Sequence, residues 1–327
     1  MLVFTVRRLL YGLLVLIGVN LATFVLFFTV NTPDDMARLN IGGKRVTPEL
    51  IEKWKAERGY DKPLYVNAAR EGTARYTDTI FWERSVSLFT LNFGRADSES
   101  AGDIGHEVAH RMGVSIQLAL PIFILQIIAS TAFALTLVMF RHTRLDLWGV
   151  VLCVLMLSIS ALFYIIVGQY LFARVLKLVP ISGFGTGWDL LRFLVLPVLL
   201  STLARLGTEA RLYRAMFLEE IGKDYVRTAR AKGLSEQAVL LRHVLRNALI
   251  PIITSAGGYL PYVFMGSLVF ESFFGIPGLG AYVIEAIGKQ DFAIVRTMVF
   301  VGSVLYIGTY ILIDLAYTWV DPRVRLA

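Results

Sequence analysis

The residues that come closest to a catalytic pattern are His106-Glu107-Val108-Ala109-His110, which fit H-E-x-x-H. On a helix the two imidazoles share a face and could grip zinc, with Glu107 as general base. A zinc protease needs a third protein ligand. The other histidines, His142 and His243, fall on the opposite membrane side in the topology below, which leaves an acidic ligand such as Asp103. The competing reading is a chance match on an amphipathic segment that leads into an apolar run. It is the reading adopted, so no metal and no catalytic residue is assigned.

Phosphate chemistry is the next possibility. No G-x-x-x-x-G-K-[ST] loop occurs, so this chain does not hydrolyse ATP by that route. Active transport would then draw on a partner or on an ion gradient. A gradient-driven carrier shows ionisable residues within its spans. Arg192, Arg205, Arg296 and Asp314 are the candidates, and Asp314 lies deepest. A bond to a neighbouring helix is the plainer role for it.

One long basic polar segment interrupts the apolar C-terminal half, from Asp224 to Pro251. It carries Arg227, Arg230, Lys232, Arg242 and Arg246. Tyr225 to Lys232 has good helix formers, with small Ala229 and Ala231 allowing close approach. Gly233 suits the left-handed residue just past a helix end, and Leu234 can pack back. Ser235 then caps a second helix with Glu236 in its first turn. Val239, Leu240, Val244 and Leu245 give that helix an apolar stripe. Two helices joined by a sharp glycine turn fit a docking element, and equally a loop that keeps positive charge inside.

The elements that must position these residues follow from hydropathy. The chain has 327 residues, is 56% hydrophobic and only 17% charged, and its mean hydropathy is +0.63. Apolar runs exceed what a soluble core needs, so this is a polytopic, all-α membrane protein in contact with the lipid bilayer. The net charge of +7 follows from inside-facing Lys and Arg and implies no nucleic acid. The single cysteine, Cys153, sits in an apolar run and reads as a small buried hydrophobe.

Arg7 and Arg8 precede a first span, Leu9 to Val30, read as uncleaved with its N-terminus inside. Residues 31–112 form a mixed polar external insert with nearly balanced charge. Within it, Pro48 to Arg58 predicts an amphipathic helix capped by Thr47, and Leu88 to Gly94 is an apolar-aromatic patch. Residues 113–320 form a five-helix core. Its spans are expected at about Val114 to Phe140, Leu147 to Phe172, Leu190 to Leu206, Leu249 to Phe270 and Phe292 to Trp319. The basic loop 207–248 and the tail 321–327 lie inside, which gives six transmembrane helices with both termini cytoplasmic. Pro121, Pro197 and Pro261 kink their helices or shape packing.

Three stretches carry a resemblance: Tyr225 to Thr254, Val269 to Gly280 (VFESFFGIPGLG) and Asp314 to Arg325 (DLAYTWVDPRVR). With weaker echoes at Arg7, Tyr60, Leu91, Ser115 and Pro180, the chain resembles the integral-membrane permease of dipeptide/oligopeptide/nickel ABC importers. The resemblance implies a fold of the type I ABC importer permease kind in a bacterial inner membrane. It also implies a second homologous permease, two ABC ATPase subunits and an extracytoplasmic substrate-binding protein. This chain would bind no cofactor, with ATP and magnesium held by the partner ATPases. Short peptides are the implied cargo. Asp224, Tyr225, Arg227, Thr228, Ala229, Arg230, Ala231, Lys232, Gly233 and Leu234 would form the coupling helix and turn that meet an ATPase. Arg227, Thr228 and Ala229 stand where the general importer motif has Glu-Ala-Ala, and Arg246 stands at its late proline. Thr32 to Met36 (TPDDM) replaces the family's Pro-Gly-Asp-Pro-like turn. Pro261, Glu271, Gly278 and Asp314 are the candidate pathway or gating residues.

Overall fold

The computed structural model describes residues 2–42, 46–98 and 102–320. Among them every regular element is helical, and the one β feature is an isolated antiparallel bridge between Arg95 and Asp103. The chain divides into two compact units, Met1–Gly113 with Gly278–Ala327, and Val114–Pro277.

Among the described residues five helices are long and apolar enough to cross a membrane: Thr5–Val30, Ile104–Met139, Trp188–Ile221, Glu236–Gly257 and Phe292–Ile313. Two broken pairs, Arg144–Ser158 with Ala161–Val175 and Leu260–Phe274 with Leu279–Gly288, also have the composition of spans. Against the six spans expected, length and composition give five among the described residues, or up to seven if each broken pair is one span. The expected third span, Leu147 to Phe172, bends by 91° after Ser158. Ser160 causes the break: its backbone is extended, and its hydroxyl accepts the Phe163 N–H to start a new helix. The Tyr164 hydroxyl reaches back across the bend to the Met156 carbonyl at 3.1 Å. The expected fifth span, Leu249 to Phe270, ends early at Gly257, and Pro261 opens the short Leu260–Met265 helix after it. Pro121 and Pro197 lie inside continuous helices.

In the unit that holds both ends of the chain, residues of the polar insert pack onto the first helix. Phe24 and Phe28 share a buried core with Met36, Ile51, Trp54, Tyr60 and Ile80. Thr32 forms a full capping box with Asp35, which starts the Pro33–Ile41 helix. Thr47 caps Pro48–Arg58 as its sequence predicts. Asn20 fastens the first helix to the insert through 2.7 and 3.0 Å bonds to Ser85. The apolar-aromatic patch, Leu88 to Gly94, begins in a 3₁₀ turn, Val86–Thr90, and continues without a regular element.

The buried Tyr60 hydroxyl donates to Asp97 at 3.0 Å and accepts from Arg296 at 3.2 Å. Asp97 also accepts the Ala293 N–H, so a polar knot joins the insert to the start of the Phe292–Val320 helix. Burial pushes the Asp97 carboxyl upward against the pull of Arg84 and Arg296. Burial and the Asp97 charge push the Tyr60 phenol up to about 12. An unfolded phenol ionises near 10, so between pH 10 and 12 the unfolded state releases a proton that the native state keeps. Tyr60 alone should take about 2 to 3 kcal/mol of stability from this unit over that window and none below it. Alkaline unfolding followed by fluorescence of Trp54, stacked 5.4 Å from Tyr60, checks this. Tyr60→Phe should reduce the slope, leaving the part that comes from Tyr282, a phenol of the same unit that burial also pushes up to about 12.

In the other unit the Arg144–Ser158 and Trp188–Ile221 helices approach closely where Gly207 faces the Cys153 carbonyl. Their polar ends are joined by a bidentate pair, Arg214 to Asp146 at 2.9 and 2.7 Å. Both side chains are largely sheltered. Asp146→Ala strands the guanidinium and should lower stability by about 1 to 3 kcal/mol in a thermal melt of the detergent-solubilised protein. Asp146→Asn should cost less, and Asp146→Ala should add little in an Arg214→Ala background.

Candidate coupling surface

The basic segment folds as a helical hairpin whose inner face is core. The first helix runs Asp224–Ala231 and turns Val226 and Ala229 inward. These two join Ala134, Val138, Tyr213, Phe217, Val239, Leu240, Val244, Ala248 and Ile252 in one buried cluster. Ala229 therefore serves close packing within the chain.

Gly233 ends the helix at φ +80°. Its N–H donates to Arg230 O at 2.9 Å, and the Leu234 N–H donates to Ala229 O at 3.4 Å. These two bonds make a Schellman stop, which needs the left-handed residue that glycine supplies at little cost. Ser235 then accepts the Ala238 N–H and starts Glu236–Gly257, as its sequence predicts. Residues Val239–Val244 are wound as π-turns, for which the sequence carries no signal. Their apolar stripe nevertheless faces the core, with Val239, Leu240 and Val244 buried and Leu245 packed against the cluster.

Charge pairs brace the hairpin. Glu236 accepts Arg230 at 2.7 and 3.1 Å and Arg141 at 3.2 Å, which ties the turn to the end of the Ile104–Met139 helix. The Tyr225 hydroxyl donates to Glu220 at 2.7 Å, and Lys223 bonds the same carboxylate. That bond raises the Lys223 ammonium above the ordinary lysine range.

What remains outward is a stripe. Asp224, Arg227, Thr228 and Ala231 are exposed, and their spacing of i, i+3, i+4 and i+7 puts them on one helix face. Lys232, Gly233 and Leu234 extend the exposed surface past the helix end. Of the ten residues expected in the coupling element, seven face outward; Tyr225 and Arg230 are half-buried in braces, and Ala229 is core.

The other expected site residues are dispersed. Glu107 accepts Arg111 at 2.8 Å on a helix that also carries His106 and His110. Among the described residues, no group of three or more His, Cys, Asp or Glu side chains could hold a metal. Pro261 is buried at the start of its short helix. Glu271 is fully buried, accepting from Ser115 at 2.8 Å and from the Ser267 N–H. Gly278 sits at the cap of Leu279–Gly288 with extended backbone. The Asp314 side chain and residues 321–327 lie outside the described residues. Arg192 is exposed near Asp189, and Arg296 is buried on Tyr60. Arg205 lies 3.7 Å from Glu209, a buried carboxyl that the sequence reading passed over because its spacing matches no motif.

Residues 111–326 match the family described as binding-protein-dependent transport system inner membrane component. Residues 1–91 match the N-terminal region of such membrane components. A protein of Brucella abortus (strain 2308), provisionally named a peptide transport system permease protein, is 32% identical over 326 residues, covering 98% of each chain. The dipeptide transport system permease protein of Bacillus subtilis (strain 168) is 32% identical over 240 residues, 73% of this chain and 77% of that one. The glutathione transport system permease protein of Salmonella paratyphi A is 29% identical over 310 residues, 93% of each. The chain belongs to the binding-protein-dependent transport system inner membrane components, the permeases of ABC importers.

Proposed function

We propose that this chain is the permease subunit of an ATP-driven importer of short peptides. It pairs with a second permease, and two ATPase subunits dock on the cytoplasmic face. A substrate-binding protein delivers cargo on the other side, and both termini are cytoplasmic. The observation that carries the reading is the exposed stripe of Asp224, Arg227, Thr228 and Ala231 on a helix anchored by Val226 and Ala229. A helix fixed on one face and open on the other can pass displacement from a partner into the bundle. The peptide cargo is supported by relatives named for peptide, dipeptide and glutathione transport.

ATP binding closes the ATPases and draws the two hairpins together, turning the pathway outward; hydrolysis resets it. Each ligand favours one of two conformers, which is the energetic content of alternating access. Reconstitution tests the proposal. Proteoliposomes with both permeases, both ATPases and the binding protein should accumulate a radiolabelled dipeptide only with ATP. Equal uptake without the ATPases would overturn it.

A further inference from the structure

The Arg144–Ser158 and Trp188–Ile221 helices, both in the Val114–Pro277 unit, run antiparallel, because Asp146 meets Arg214 and Cys153 meets Gly207. One side of their seam is closed. Gly149 faces Leu137 of the Ile104–Met139 helix, and Ala210 shares a buried cluster with Leu137 and Cys153. The other side is open. Leu147, two residues before Gly149 and so about 200° around the helix, is 63% exposed. Arg211, next to Ala210 and one turn beyond Gly207, is exposed as well. In the register set by the two contacts, Arg211 and Leu147 lie within a turn of each other. Arg144, one turn before Leu147, is also exposed. The Asp146 carboxylate between the helices is held by Arg214 in two bonds. Neither Arg144 nor Arg211 has an ion-pair partner among the described residues.

The depth of these residues follows from helix length. Trp188, 88% exposed, begins the second helix, and Arg211 lies about 34 Å further along at 1.5 Å per residue. A hydrocarbon core is about 30 Å thick, so Arg211 stands at the headgroup layer opposite to Trp188. Trp148, 67% exposed near the level of Arg211, is the kind of ring that this layer favours. From there Leu147, Val151 and Val154 form an exposed apolar track at spacing i, i+4 and i+7, which ends where the helix stops at Ser158.

Two unpaired guanidiniums at the mouth of an apolar track describe a ligand with an anionic head and a hydrocarbon tail. A free phosphate makes no use of the track, and a neutral acyl chain makes none of the arginines. Guanidinium donors fit phosphate oxygens in pairs. A zwitterionic headgroup brings an ammonium that both arginines repel, whereas a headgroup charged only at its phosphate does not. We infer that this seam binds an anionic phospholipid, its phosphate on Arg144 and Arg211 and an acyl chain along Leu147, Val151 and Val154. The inference takes its orientation from the importer reading, which puts this end of the seam at the cytoplasmic leaflet. Arg141, three residues before Arg144, bonds Glu236, so the bound headgroup adjoins a brace of the coupling hairpin.

The purified complete importer, in a neutral detergent, is titrated with phosphatidylglycerol or with phosphatidylcholine of the same chains. Bound lipids are counted by native mass spectrometry. The seam predicts a site that prefers phosphatidylglycerol at least about ten-fold and is lost in the Arg144→Gln/Arg211→Gln double variant. Millimolar inorganic phosphate should leave that lipid bound, because it cannot replace the chain on the track. A purely structural role for the arginines would change the yield of assembled importer and leave the preference between the two lipids as it was. Equal binding of both lipids, an unchanged phosphatidylglycerol site in the double variant, or displacement by inorganic phosphate overturns the inference. If ATP-driven dipeptide uptake persists in that case, the importer reading stands and only the lipid site fails.

Discussion

Gly233→Trp should abolish ATP-driven uptake while leaving the protein inserted in the membrane. Gly233 holds φ +80°, and nothing lies within 4 Å of the position a Cβ would take. The chain itself therefore has room for a side chain, and the intrinsic cost of a non-glycine residue is the left-handed backbone, about 1 to 2 kcal/mol. That cost falls on the hairpin alone, because Val226 and Ala229 stay anchored in their core. Tryptophan adds a large ring projecting from the exposed turn, beside the stripe proposed to meet an ATPase. Gly233→Ala separates the two effects. It carries the same backbone cost without the bulk and should retain uptake within about ten-fold. Equal loss in both variants would place the defect in the hairpin's own fold. Normal uptake by Gly233→Trp would remove this turn from docking.

Gly207→Leu should have the largest effect on the folded state. A Cβ at Gly207 would lie 2.4 Å from the Cys153 carbonyl oxygen and 3.1 Å from Met156 Cβ. The obstructing atom belongs to the backbone of the facing helix, so no rotamer change relieves it. Overpacking of a core typically costs about 1 to 3 kcal/mol. Separating two helix backbones that pack through a small residue should exceed that range. The expected result is a strong drop in monodisperse protein on size-exclusion chromatography after mild heating. Cys153→Ala should not rescue it, because trimming that side chain leaves the carbonyl in place. Rescue would show that the sulfur, not the backbone, sets the contact.

Much of this architecture is legible in local residue patterns. Thr47 before Pro48, Gly233 after Ala231 and Ser235 before Glu236 each announce a helix end by the chemistry of one or two residues, and the structure has a helix end at each. Hydropathy likewise finds the first, second and last long helices. Breaks inside apolar runs are harder to see. Ser160 reads as an ordinary small polar residue within a span, and only its extended backbone reveals a cap. The π-turns at Val239–Val244 preserve the apolar stripe and so leave no trace in the pattern. Glu209 shows the same limit for the site. Its spacing matches no motif, and its burial beside Arg205, which lies over the Tyr259 ring, shows only in the fold. The outward stripe of the first hairpin helix becomes visible once Val226 and Ala229 are known to face inward.

The central claim is that the outward face of the Asp224–Ala231 helix meets an ATPase subunit. Photo-cross-linking in the assembled importer tests it most directly, with benzoyl-phenylalanine in place of Thr228, and in a second variant in place of Trp188. Both positions are exposed, and Trp188 begins the same long helix whose far end leads into the hairpin. The account predicts an adduct with a nucleotide-binding subunit from position 228 and none from position 188. An ATPase adduct from 188 with none from 228 would contradict it.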